Sequence, residues 1–275
     1  MQSFSFHEKR ASLNAMEQTR KYFFFDYDGT LTAPGTYFIP ENTKATLRAL
    51  EEAGHMVFLA TGRLQINALE YIAEASITNI VADGGYSVTI DGDLKWMKPL
   101  PIEAVRACLR RLDEVGIPWA VTTANELLRY SNNPDFEHIA GDYYLPTKYI
   151  EGLTGDSLEE VYKIYIPCTP EQEASVLATG ALDNVPWVRY NPDALFVEPM
   201  DKQEGIKWVM DYYGAPYKDA VVFGDGKNDL SMFIPEWTSI AMGNAVSALK
   251  ERASYVTAPS ADDGITKACR YFGWI

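Results

Sequence analysis

The tightest constraint on this chain is a run of β-forming aromatics, Tyr22-Phe-Phe-Phe25, that ends abruptly in an acidic turn, Asp26-Tyr-Asp28-Gly29. A continuously apolar run of this kind buries both faces of a strand, the pattern of a parallel sheet rather than a half-exposed antiparallel one. A parallel neighbour needs a crossover, and the sequence supplies one. From Pro40 the segment PENTKATLRALEEAG carries Ala45, Leu47, Leu50 and Ala53 at helical spacing before a Gly54 stop, with Asn42 or Thr43 near its cap. The apolar strand HMVFLA follows at once. Strand, helix, strand reads as a right-handed βαβ unit, so the expected fold class is α/β, with a doubly wound, Rossmann-like parallel sheet as the core.

The remaining pattern divides the chain. A helix over about 63–75 and a strand at Asn79–Ala82 lead to Asp83-Gly84-Gly85, after which the texture changes. Short alternating strands at Ser87–Ile90 and Leu94–Trp96, joined by an Asp91-Gly92 turn, read as a different layer. A helix near 101–115, strands at Trp119–Thr122 and Tyr162–Ile166, and a helix near 170–181 read as an inserted α+β cap. The parallel pattern is expected to resume at Leu195–Val197, followed by a helix over 202–213, a strand at Ala220–Phe223, a helix from about 227, a strand at Ser239–Met242 and a terminal helix from Asp263. The expected organisation is an N-terminal tail over 1–18, a discontinuous core over 19–85 and 190–275, and a cap over 86–189 that sets substrate specificity. Polar and aromatic residues crowd 125–149, among them Asn125, Arg129, Tyr130, His138, Tyr143 and Tyr144; some could face the substrate, but most read as cap core or surface, and none is counted as a site residue.

Charge narrows the partners. The 275 residues hold 24 Lys plus Arg against 38 Asp plus Glu, a net charge of −14, and that field repels nucleic acid and anionic lipid. It repels anionic metabolites too, so a phosphorylated substrate requires local positive charge from a cation, a lysine or backbone N–H groups. Three scattered cysteines, Cys108, Cys168 and Cys269, with no CxxC pair, fit a reducing compartment. No apolar run approaches membrane-span length and the first residues lack a signal-peptide core, so the protein is expected to be cytoplasmic, a monomer or homodimer without nucleic-acid or membrane partners.

Ligands of open parallel sheets sit beyond the carboxyl ends of the strands. Four polar clusters fall there: Asp26-Tyr-Asp28-Gly-Thr30-Leu-Thr32, Ala60-Thr61-Gly62-Arg63, Asp201-Lys202, and Gly224-Asp225-Gly-Lys-Asn228-Asp229. Singly, each has an ordinary explanation as a turn, a cap or a solvated charge. An EF-hand loop starting at Asp26 would need Gly at Leu31 and Glu at Tyr37, and one starting at Asp225 meets Lys227 and Leu230 where a carboxylate or amide and the Gly belong. As an ordered set, they place carboxylates, a hydroxyl and an ammonium around one ligand. A hard cation such as Mg²⁺ takes oxygen donors and needs one or two carboxylates besides substrate phosphate, which Asp26 and Asp225 could supply.

The ordered set DYDGTLT, ATGR, Lys202 and GDGKND resembles the haloacid dehalogenase-like hydrolases, specifically the Cof-type sugar-phosphate phosphatase branch, from Lys21 to the end and including Ala241-Met-Gly-Asn-Ala245 and Asp263-Gly264. The resemblance implies a Mg²⁺-dependent phosphatase working through an aspartyl-phosphate. Asp26 is then the nucleophile and Asp28 the general acid and base, whose backbone carbonyl also reaches the metal. Thr61, Gly62, Lys202 and Asn228 hold the phosphoryl group, while Asp225, with Asp229 orienting its shell, completes a metal set of Asp26, Asp28, Asp225 and Asp229. The implied substrate is a small phosphorylated metabolite, first a sugar phosphate, then a flavin mononucleotide or pyridoxal phosphate type of ester. A phosphomutase of the same superfamily and a non-catalytic phosphometabolite-binding protein are the alternatives, the former because phosphomannomutases share DxDGTLT. Tyr27 is also similar to the corresponding residue of trehalose-phosphate phosphatases. One departure stands out: where the branch often has Asn-Gly at the core-to-cap junction, this chain has Asp83-Gly84.

Overall fold

The computed structural model describes residues 19–73, 75–140 and 145–275; the expected tail over 1–18, and Tyr143 and Tyr144, lie outside the described residues. In chain order the strands are β1 (Tyr22–Phe25), β2 (Met56–Ala60), β3 (Asn79–Ala82), β4 (Ser87–Ile90), β5 (Asp93–Met97), β6 (Ala120–Thr122), β7 (Arg129–Ser131), β8 (Thr147–Tyr149), β9 (Lys163–Pro167), β10 (Trp187–Val188), β11 (Ala194–Val197), β12 (Ala220–Gly224), β13 (Thr238–Ala241) and β14 (Tyr255–Val256). They form two sheets, an eight-stranded one ordered β14-β13-β12-β1-β2-β3-β4-β5 and a six-stranded one ordered β10-β11-β9-β6-β7-β8.

The α/β expectation holds at the centre of the large sheet. β1 lies between β2 and β12, parallel to both, with Phe24 opposite Phe58 on one side and Val222 on the other. Its side chains alternate between two cores, as period-two geometry requires. Phe23 and Phe25 pack with Leu47, Leu50 and Ile265, whereas Tyr22 and Phe24 pack with Ile206, Val209 and Met210. Each buried Phe contributes about 1.5–3 kcal/mol relative to exposure, so both faces of this short strand hold it in place. Because β1, β2, β3, β12 and β13 are parallel, their carboxyl ends open at one edge of the sheet.

Two expectations about layers are corrected. β4 and β5 do not start a new layer: they pair antiparallel with β3 and with each other and extend the large sheet to its edge. The change of texture marks a reversal at Asp83-Gly84-Gly85 within the sheet, and Val88 and Ile90 bury against Ile206 and Val209 of the main core. Conversely, Leu195–Val197 does not resume the parallel sheet; β11 pairs antiparallel with β9 in the small sheet, its four residues all buried. Continuous apolarity marks burial on both faces, and here the second face is supplied by Leu64, Phe136 and Tyr165. The expected helix from 227 is a short 3₁₀ segment, Lys227–Met232, curled by the Asp229 carboxylate that accepts the backbone N–H groups of Asp225 and Gly226. The three cysteines are free and buried, and no helix among the described residues is long and apolar enough to cross a membrane.

Candidate active site

The site grows from the end of β1. Asp26 continues the ladder by donating its backbone N–H to Phe223 O at 3.0 Å, which fixes its buried carboxyl beside the end of β12. The chain then curls tightly through Tyr27–Leu31, with Gly29 at φ 85°. A Cβ on Gly29 would lie 2.3 Å from Asp225 Oδ2, so the bare backbone here admits the carboxylate of Asp225, the residue that follows β12. Thr30 Oγ1 donates to Asp225 Oδ1 at 3.0 Å, and Asn244 Nδ2 donates both to Asp225 Oδ2 at 3.2 Å and to Gly29 O at 2.8 Å. Asn244 is itself oriented by accepting the Ser260 N–H at 2.9 Å.

Beneath these carboxylates sits Lys202, the first residue of the helix Lys202–Tyr212 and 1% exposed. Its ammonium has three N–H donors, and they meet Asp26 Oδ1 at 2.6 Å, Asp229 Oδ1 at 2.6 Å and Ala60 O at 2.9 Å. The second oxygen of Asp229 accepts two backbone N–H groups at 2.9 Å, so both oxygens of this carboxylate, which is 0% exposed, are hydrogen-bonded. Burial opposes the charge on Lys202, but Asp229 and Asp26 outweigh it and hold the ammonium above its usual range.

Three carboxylates against one ammonium leave an excess of negative charge in a buried place. Burial first, and Asp229 second, push the Asp26 carboxyl well above the ordinary range against the pull of Lys202. Asp225 is pushed up to about 6, again by burial and then by Asp229, with the Thr30 hydrogen bond opposing. Oxygens of Asp26, Asp225 and Asp229 all lie within 4.8 Å of one another. An all-oxygen donor set with unbalanced negative charge fits a hard divalent cation such as Mg²⁺ and does not suit a thiophilic metal.

Above this floor is a cavity of about 480 Å³, within the usual size for small-molecule sites, whose lining includes Asp26, Asp28, Thr61, Gly62 and Asn228. Five of the expected residues thus share one cavity, and Lys202, Asp225 and Asp229 lie under or behind it. Thr61 is carried at the end of β2, its N–H bound to Val81 O at 2.8 Å and its hydroxyl accepting the Arg63 N–H at 3.2 Å. The Asp28 side chain stands apart from the acidic trio: it is more than half exposed and paired with Arg63 Nη2 at 3.1 Å. Arg63 is in turn stacked over the Tyr71 ring at 4.0 Å.

Sequence reasoning missed several participants. Thr30, Arg63 and Asn244 lay inside motifs already singled out, and their polarity next to strand ends was the available signal. The small sheet contributes Lys163, Tyr190, Asn191 and Phe196 to the cavity wall, none of them within 125–149. Asn125 bonds instead to the large-sheet side, donating to Gln65 Oε1 at 2.7 Å and accepting the Ile66 N–H at 3.3 Å.

Residues 23–269 match the haloacid dehalogenase-like hydrolase family. The chain is 34% identical over 257 residues to the Bacillus subtilis protein named "Putative phosphatase YkrA", covering 92% of this chain and 98% of that protein. It is 27% identical to the 5-amino-6-(5-phospho-D-ribitylamino)uracil phosphatase YitU of Bacillus subtilis, covering 91% and 97% respectively. Among solved structures, the subclass IIB sugar phosphatase BT4131 superposes with a TM-score of 0.72 at 29% identity, covering 93% of this chain and all of that one.

Proposed function

Because the chain belongs to the haloacid dehalogenase-like hydrolases, in their Cof-type branch, and is a phosphoric monoester hydrolase, we propose that it hydrolyses a small polyhydroxylated phosphate ester, first a sugar phosphate, through an aspartyl-phosphate on Asp26 with Mg²⁺ as cofactor. The observation that carries this reading is the buried Asp26 at the end of β1, held by Lys202 and within 4.8 Å of Asp225 and Asp229. The substrate class is supported by relatives named for a ribityl phosphate and as a sugar phosphatase.

In this reading Asp26 and Asp225 would hold the cation, the Asp28 backbone carbonyl would add a ligand, and Asp229 would orient the shell. The bound cation would neutralise phosphoryl oxygens that otherwise repel an attacking carboxylate. Thr61, the Gly62 backbone and Asn228 position the phosphoryl group over Asp26, and Lys202 adds positive charge from below. An Asp26 oxygen forms a bond to phosphorus as the ester oxygen departs, and Asp28 gives that oxygen a proton. Asp28 then takes a proton from water, whose oxygen attacks phosphorus and releases Asp26 and inorganic phosphate. Arg63, bonded to both Asp28 oxygens at 3.1 and 3.3 Å, keeps this carboxyl over the cavity. The small sheet serves as the cap that reads the rest of the substrate.

Phosphate release from a panel of sugar and polyol phosphates, with Mg²⁺ and with EDTA, tests the proposal. Release that requires Mg²⁺ is expected. Full activity in chelator would contradict it.

A further inference from the structure

The cavity wall contributed by the small sheet is built around a buried ion pair. The register that places Ile164 opposite Val197 also brings Lys163 opposite Glu198 across β9 and the end of β11, and the Lys163 ammonium contacts Glu198 Oε2. Both are buried, at 6% and 2% exposure. The other Glu198 oxygen accepts the Tyr190 hydroxyl. Lys163 also sits over the Phe196 ring, 5.0 Å from its centroid, and Tyr190 packs against that ring at 5.7 Å. This unit closes directly on the phosphoryl end of the cavity. A Cβ added to Gly62 would lie 3.2 Å from the Tyr190 hydroxyl and 3.6 Å from Glu198 Oε1.

The unit carries no net charge: one ammonium is matched by one carboxylate, and a tyrosine hydroxyl fills the second oxygen. Asp83, across the core–cap junction, feels both partners, Lys163 favouring its ionised form and Glu198 opposing it. Pairing with Glu198 offsets the Lys163 charge, so this wall attracts a second carboxylate or phosphate less than an unpaired lysine in the same place would. What the wall can offer is an N–H of Lys163, the Asn191 amide and the aromatic faces of Tyr190 and Phe196. These suit hydroxyl groups and the apolar face of a carbon chain.

We propose that Glu198, by neutralising Lys163, is a specificity-determining residue that restricts the site to phosphate esters whose leaving group is uncharged and hydroxylated, and excludes phosphocarboxylates and bisphosphates. The inference rests on the phosphatase reading of the same cavity. It concerns how the rest of the substrate is selected, and therefore fails or stands separately from the chemistry at Asp26.

The test compares kcat/KM for sorbitol phosphate with that for phosphoglycolate in the wild type, Glu198→Gln and Lys163→Gln. The wild type should prefer the polyol ester. Glu198→Gln leaves an uncompensated ammonium in the wall and should move the ratio toward phosphoglycolate by about tenfold or more, while Lys163→Gln leaves an uncompensated carboxylate and should move it the other way. Ratios that stay within about twofold, that move in the same direction, or a wild type that prefers phosphoglycolate, would overturn the proposal. Removing one partner of a buried pair is strongly destabilising, so the double variant Lys163→Met with Glu198→Gln is the reserve. Its wall is again neutral, and its ratio should return to the wild-type preference; a shift of about tenfold in the double variant also refutes the idea. If the wild type releases phosphate from no ester, p-nitrophenyl phosphate included, the phosphatase reading falls by itself. The selectivity is then read from calorimetric dissociation constants for the same two esters.

Discussion

Replacing Asp83 by Asn should make the protein more stable at neutral pH and leave it nearly unchanged in mild acid. Asp83 is 5% exposed, and its Oδ2 accepts the Ser87 hydroxyl at 2.6 Å and the Gln65 N–H at 3.1 Å. Burial nevertheless dominates these favourable contacts and pushes the carboxyl from 3.8 up to about 6. The folded protein therefore holds this proton more tightly than the unfolded chain does. Stability linked to Asp83 is fully present below pH about 4, declines as the pH rises toward 6 and is lost above it, a change of about 3 kcal/mol at most. An Asn amide oxygen can accept the same two hydrogen bonds without titrating, and Asn tolerates the left-handed φ of 50° found here. Urea denaturation of both proteins at about pH 4 and about pH 7.5 measures the difference. The variant should gain about 2–3 kcal/mol on the wild type between the two conditions. A difference that does not change with pH, or a wild type that gains on the variant as pH rises, would refute the reasoning.

Lys202→Met should abolish turnover at saturating Mg²⁺ and cost about 3–5 kcal/mol at neutral pH, because it strands Asp26 and Asp229 without their shared ammonium; thermal melts and steady-state kinetics check both. Gly29→Ala should raise the Mg²⁺ concentration needed for half-maximal activity by at least about tenfold, since its Cβ would displace Asp225 from a backbone already at φ 85°; metal titration of activity measures it. Asp225→Asn should likewise act mainly through metal affinity, with activity partly recovered at high Mg²⁺, and a variant with unchanged metal dependence would remove Asp225 from the ligand set.

The sequence carried the floor of the site because the floor is made at strand ends. A both-faces-apolar strand followed by Asp identifies Asp26, and the same rule applied to β2 and β12 identifies Thr61 and Asp225 without any long-range information. Lys202 was legible as part of the ordered set, but not its use of all three N–H groups, which depends on three segments meeting. The wall was not legible. Lys163 and Glu198 are 35 positions apart and meet only through the β9–β11 register, and in a linear reading each is one more charge among many. Layer assignment failed at both borders of the small sheet for a related reason: apolarity reports burial, and neither the direction of a strand nor the identity of its neighbour is encoded in its own residues. The short β7 and β8, three residues each, carry too few positions for a period to show.

The proposed hydrolysis depends on Asp26 as the group that takes the phosphoryl. Asp28→Asn retains Asp26 and the backbone carbonyl at position 28 but lacks the side chain that would activate water. Mixed with Mg²⁺ and p-nitrophenyl phosphate, whose phenolate leaves without a proton, this variant should give a burst approaching one phenolate per enzyme and then a slow phase. Mass spectrometry of the acid-quenched protein should find one phosphoryl group on the peptide that contains Asp26. An unmodified peptide after a full burst, or a phosphoryl group on another residue, would contradict the account.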